Sequence, residues 1–156
     1  MGNAASAEAQ AGVPRITKYY YHGSTRVAMR RDGVVYYLHG DHLGSVSLAT
    51  DASGAVVARQ RYYPYGGMRW SSGTSPTDFT YTGQRDVGLG LMHYGARYYL
   101  PGLGRFVSAD TVAPGIGSQG LNRYMYVRGN PILYNDPSGH FDPVTMVIIG
   151  GLIVGG

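Results

Sequence analysis

Tyrosine-rich runs broken every few residues by glycine leave little room in this chain for a long helix. The 156 residues hold 25 Gly and 15 Tyr, against 3 Phe and 1 Trp. Glycine supplies the positive backbone angles of tight turns. Tyrosine favours strands and lies half buried with its hydroxyl reaching water. Together they predict a mainly β chain of short antiparallel strands and hairpins, forming a two-sided sheet rather than a helical bundle. The length suits one domain.

Read along the chain, the pattern gives hairpins in two blocks. Lys18 to His22 and Val27 to Arg31 read as strands, and Asp32-Gly33 as the tight turn leading to Val34–Leu38. His39 to Gly44 interrupts the pattern. Ser45 to Thr50 and Ala55 to Tyr63 read as strands joined by the turn Asp51-Ala52-Ser53-Gly54, so strand, Asp-containing turn and strand recur as a weak repeat. Residues 68–78 read as a polar loop. In the second block Phe79 to Thr82, Leu91 to Tyr94, Arg97 to Tyr99, Arg105 to Ser108 and Asn122 to Val127 read as strands, with Tyr124 and Tyr126 sharing one face. Turns are expected from Gly83 to Asp86, at Pro101 to Gly104 and at Arg128 to Pro131, and a Gly/Pro loop from Val112 to Gly120. Residues 1–14 are small and polar and read as a disordered lead-in. They lack the basic start and apolar run of a signal peptide. Val144 to Gly156 is apolar and uncharged but shorter than the roughly 20 residues of a membrane span.

The net charge is +4, and Arg supplies 12 of the 13 basic residues. Apart from Arg30-Arg31 they are scattered singly, often near Tyr. That spacing suits cross-strand pairs and cation–π contacts better than the basic stripe of a nucleic-acid binder. With no cysteine, disulfides and thiolate metal sites are excluded. His39 and His42 flank Asp41, but three candidate ligands in a strand would face different ways, and no further cluster lies near. Neither a metal nor a cofactor is expected.

Three segments carry a resemblance. YYLHGDHLGSVSLATDASGAVVARQRYYPYG (36–66) resembles the last YD-type repeat of rearrangement-hotspot (Rhs) proteins. GLMHYGARYYLPGLGRFVSAD (90–110) resembles the start of the Rhs-associated core, and LNRYMYVRGNPILYNDPSGH (121–140) its end. The resemblance divides the chain into a lead-in (1–14), YD-repeat hairpins (15–67), a linker and strand (68–82), the associated core (83–140) and an apolar tail (141–156) that opens a variable region. It implies that YD repeats wind into a hollow β-shell, as in the C components of insecticidal toxin complexes and in teneurins. The core segment plugs one end, and a toxin polypeptide is held inside. The implied partners are the remainder of the shell and that enclosed polypeptide, with no nucleic acid. The parent family is secreted or displayed at the cell surface.

The resemblance also implies chemistry. In several members the core is an aspartyl autoprotease that cuts the chain just after itself. The matching carboxylates are Asp110 in RFVSAD and Asp136 in NPILYNDPSG, the matching arginine is Arg97 in GARYY, and the cut falls between His140 and Phe141. Two carboxyls close together cannot both ionise easily, so one retains a proton and the pair supplies an acid and a base. Two positions depart from the family: Thr111 stands where Pro usually follows the first Asp, and His140 where Leu usually precedes the cut. The residue types alone allow plainer roles. Asp136 before Pro can start a turn, Asp110 can cap one, and Arg97 can pair with a carboxylate or stack on Tyr. A non-catalytic, truncated shell fragment and a carbohydrate- or nucleic-acid-binding β module using Tyr and Arg faces therefore remain as alternatives. A cut at residue 140 would release only the 16-residue tail.

Overall fold

The computed structural model describes residues 16–111, 122–140 and 147–148. The lead-in, the Val112–Gly120 loop and most of the apolar tail lie outside them. Six strands run as an antiparallel meander in chain order: β1 Thr17–His22, β2 Thr25–Arg31, β3 Val34–Gly40, β4 Val46–Asp51, β5 Val56–Tyr62 and β6 Met68–Gly73. Asp32 and Gly33 both have positive φ (50° and 83°), the mirror-image turn that matches the twist of paired strands. The next turn is held by a side chain. Asp51 Oδ1 accepts from Ser53 N at 2.9 Å and Ala55 N at 3.0 Å. Asp41 does the same for Leu43 N and Ser45 N, both at 2.9 Å.

Register decides which side chains meet. Leu38 lies opposite Ala49, and Ala49 opposite Ala58. Tyr19 lies opposite Met29, and Met29 opposite Tyr36. These two rows, with Val46, form the first apolar cluster. The small residues of one row leave space for the long ones of the other, as close packing requires.

A second sheet has the order β10-β9-β8-β7, made of β7 Arg85–Gly88, β8 Leu91–His93, β9 Tyr98–Leu100 and β10 Arg105–Phe106. A short antiparallel pair joins β11 Tyr134–Asn135 to β12 Val147–Ile148. The larger core lies here, where Leu43, Tyr81, Met92, Tyr94, Tyr99, Phe106, Tyr126 and Val127 are all buried. Tyr94 packs on Tyr99, Phe106 and Tyr126 with ring centroids 5.2, 5.7 and 5.6 Å apart. Buried hydroxyls need partners. Tyr94 Oη lies 2.7 Å from Thr82 Oγ1 and 3.2 Å from Tyr126 Oη. Tyr81 donates to the Pro64 carbonyl at 2.6 Å and Tyr99 to that of Tyr65 at 2.9 Å. The last two bonds tie the aromatic core to the β5–β6 turn of the first sheet.

Four local expectations are corrected. The 68–78 segment is not all loop, because β6 adds to β5 as an exposed edge strand, with Ser71 opposite Gln60 and Trp70 opposite Arg61. All six of its residues are exposed, so neither face packs on a core and no apolar alternation is required, which is why its polar sequence hid it. Phe79 to Thr82 makes only a bridge from Phe79 to Arg85 before a 3₁₀ turn at Tyr81–Gly83. There Thr82 N donates to Ser45 Oγ at 3.0 Å and both Tyr81 and Thr82 are buried, so tertiary contacts override strand propensity. Residues 85–88 then form β7 rather than continuing a turn. Asn122 to Val127 is irregular, with one bridge from Met125 to Arg105. Tyr126 is fully buried while Tyr124 stays 38 % exposed, so the two do not share an environment as a strand would give them.

Burial, reinforced by neighbouring tyrosines, holds the hydroxyls of Tyr81, Tyr94 and Tyr99 above their ordinary range. A group whose folded value is raised contributes stability that is full below its unfolded value, about 10 for Tyr, and is lost as pH rises beyond it. Titration followed by tyrosinate absorbance should therefore show the cluster tyrosines ionising only with cooperative unfolding, above about pH 10. A single phase near pH 10 with the near-ultraviolet circular dichroism intact would contradict this packing.

Candidate functional site

The three residues singled out from sequence meet at the foot of the aromatic core. Arg97 comes from the turn between β8 and β9, which Tyr94 N closes by donating to the Arg97 carbonyl at 2.9 Å. Asp110 follows β10, its N–H donating to the Arg123 carbonyl at 2.9 Å. Asp136 follows β11 and begins a turn. Its Oδ1 accepts from Ser138 N at 3.1 Å, Ser138 Oγ at 3.2 Å and Gly139 N at 2.8 Å. The plain reading of Asp136 as a turn former thus holds for one of its oxygens, and the other oxygen faces the arginine.

Arg97 Nη2 lies 2.8 Å from Asp110 Oδ2 and 3.7 Å from Asp136 Oδ2. Both carboxylates converge on one nitrogen. The guanidinium also donates from Nη1 to the Arg123 carbonyl at 3.0 Å and from Nε to the Gly139 carbonyl. Its Cζ sits 3.6 Å from the centroid of the Phe106 ring. It stacks on Phe rather than Tyr, and the delocalised cation suits an apolar floor better than an ammonium would. Arg97, Asp110 and Asp136 are all buried, with Asp110 fully so.

One guanidinium balances only one of two carboxylates. Burial pushes the Asp136 carboxyl above its ordinary range, opposed by the Gly139 and Ser138 donors and by Arg97. Burial also lowers Arg97, while Asp110 and Asp136 hold it up. The surroundings of Asp136 therefore favour its protonated form more than water does, the condition a proton donor in such a pair must meet.

The segment after Asp136 is held in place like a bound peptide. Ala96 N donates to the Ser138 carbonyl at 3.0 Å. Gly139 has φ 76°, and a Cβ there would sit 2.1 Å from the Tyr94 carbonyl oxygen. Only glycine fits, and the chain runs directly on to His140. The His140 imidazole Nδ1 lies 3.0 Å from Asp110 Oδ1. The departure from Leu at this position therefore puts a polar ring on the carboxylate rather than an alkyl group in a pocket. Phe141 lies outside the described residues, as does any contact of its own. Thr111 is described and exposed.

Sequence reasoning missed Arg123, whose carbonyl receives both Asp110 N and Arg97 and whose guanidinium donates to the Asp110 carbonyl. It also missed Phe106 as the floor under Arg97 and Gly139 as the close approach. The Asp-x-x-Gly spacing of Asp136 to Gly139, shared with Asp41 to Gly44 and Asp51 to Gly54, was a usable signal for the last. The His39 and His42 imidazoles go separate ways: His39 bonds Thr50 Oγ1 and His42 the Ile132 carbonyl, both at 3.1 Å.

Removing the cation should expose the cost of the cluster. Arg97→Met is expected to lose about 3–5 kcal/mol at pH 7, the usual effect of stranding a buried charge. Because Asp136 is raised, its contribution to stability is full below about pH 4 and falls as pH rises through its folded value. Asp136→Asn, which keeps an oxygen for the Gly139 donor, should therefore gain on the native chain as pH rises from 4 to 7 in denaturant melts. A difference independent of pH would count against a raised Asp136.

The match to known proteins agrees with this architecture. The Teneurin YD-shell family model matches residues 12–132. Toxin subunit YenC1 of Yersinia entomophaga is 38% identical over 108 residues, covering 66% of this chain and 11% of that protein. Toxin protein Tse5 of Pseudomonas aeruginosa is 33% identical over 128 residues, covering 74% of this chain and 8% of its own length. The chain thus spans about a tenth of these relatives. Among solved structures, the complex TcdB2-TccC3-Cdc42 superposes with a TM-score of 0.69 at 29% identity, covering 81% of this chain and 6% of the matched one. A mainly β chain of antiparallel sheets with this match over most of its length belongs to the Teneurin YD-shell family.

Proposed function

We propose that the chain is the C-terminal shell and plug segment of an Rhs-type polymorphic toxin, and that it cuts itself after the plug. The observation that carries the second part is the convergence of Asp110 and Asp136 on Arg97, beside a glycine-dependent approach of the 136–140 segment. In the reaction, water adds to the His140 carbonyl carbon. Asp110 takes the water's proton, and Asp136 gives its proton to the carbonyl oxygen. Collapse of the tetrahedral adduct returns the electron pair to the carbonyl and breaks the His140–Phe141 bond. The Phe141 amine leaves with the proton held by Asp110, and the oxygen's proton goes back to Asp136. One water is consumed. Arg97 keeps the charge of the pair within bounds in a buried setting.

The shell role has its own support. β1 and β6 are the outer strands of the six-stranded sheet, and each presents an edge on which a neighbouring repeat can add a strand. The similarity to toxin subunits supports a toxin shell segment, and the proposal takes an enclosed C-terminal polypeptide and the remaining repeats as its partners. A sugar- or nucleic-acid-binding module is less well supported, because several arginines are engaged by the chain itself. Arg26 Cζ lies 3.4 Å from the Phe79 centroid, and Arg85 pairs with Asp78 at 2.6 Å.

Intact-mass measurement of the incubated chain tests the cleavage. The expected product ends at His140, and both Asp110→Asn and Asp136→Asn should slow its formation by at least about a hundredfold, the scale of acid–base catalysis. Uncut native chain with a folded aromatic core would leave the shell role standing without the protease.

A further inference from the structure

The residue before the proposed cut is bonded to the carboxylate proposed to act as base. His140 Nδ1 lies 3.0 Å from Asp110 Oδ1, while Asp110 Oδ2 faces Arg97 Nη2 at 2.8 Å. Asp110 is fully buried, yet the His140 side chain is 37% exposed, so bulk protons reach the ring and not the carboxylate behind it. His140 is placed by the backbone: its N–H donates to Ser138 Oγ at 3.1 Å, within the turn that Asp136 organises. The imidazole is therefore a fixed feature of the resting site.

The geometry points to His140 as a positioning residue that restrains self-cleavage by occupying Asp110 Oδ1. This rests on the reading of the chain as an autoprotease. A water that is to lose its proton to Asp110 must compete with the ring for that oxygen. The charged groups facing the ring are Asp110, with Arg97 and Asp136 behind it and the Arg123 guanidinium on the Asp110 carbonyl.

The test follows cleavage of the full chain by intact mass at neutral pH, for the native protein, His140→Leu and His140→Gln, with near-ultraviolet circular dichroism checking the tyrosine core. His140→Leu should cleave about tenfold faster than native, the size of one lost hydrogen bond's worth of barrier. His140→Gln, whose amide can still bond Asp110, should keep the restraint and stay near the native rate. Cleavage of all three at the same rate would overturn the role of His140 while leaving the protease intact. If no folded variant cleaves, the protease reading fails and this inference with it. A second readout needs no turnover: in the Asp136→Asn chain, adding Asp110→Asn should change the His140 Nδ1 nuclear resonance, and an unchanged signal would rule out the contact.

Discussion

A single guanidinium holds the closing end of this chain together. Arg97 receives Asp110 and Asp136 on one nitrogen, spends its others on the carbonyls of Gly139 and Arg123, and rests its face on Phe106. These partners come from β10, the segment after it, the 122–127 region and the turn beyond β11. Parts of the chain distant in sequence thus share one buried charge. A buried ion cluster of this kind is weak evidence for net stability, since desolvation offsets most of the attraction. What it does supply is geometry. If any partner is misplaced, a charge is left uncompensated, so only one arrangement of the four segments is tolerated.

The tyrosine core makes that arrangement affordable in conformational terms. Tyr94, Tyr99, Phe106 and Tyr126 pack ring on ring directly next to the charge cluster and exclude water from it. Their hydroxyls end on Thr82, on one another and on the carbonyl of Tyr65. A phenylalanine core of the same volume would lack the bonds to Tyr65 and Pro64 that lock the second sheet to the first. At Tyr81 and Tyr99 the choice of Tyr over Phe thus follows from where the core sits, against a turn of the first sheet that presents carbonyls inward.

Much of this was legible in the residues. The meander from β1 to β5 follows from strand runs and short turns; the turn after β4, for one, is closed by Asp51's own side chain and needs no distant partner. The carboxylates and arginine of the site were found through resemblance. Their spacing alone said only that Asp136 could form a turn, which it does. The misses share one cause. Thr82 and Tyr126 are placed by contacts with Ser45 and Tyr94, far away in sequence, and local patterns cannot register such contacts. The edge strand β6 was hidden for the opposite reason, since it touches too little to need an apolar pattern. His140 illustrates a third case: its departure from Leu was visible, but its partner was 30 residues away.

The central claim is that Arg97 couples the two carboxylates. A set of double-mutant cycles measures this directly, combining Arg97→Met with Asp110→Asn and, separately, with Asp136→Asn in denaturant unfolding at neutral pH. Coupling of about 1 kcal/mol or more in both cycles, within the range found for groups in one buried network, is the predicted result. Additive effects in either cycle would mean that the cation does not join the pair.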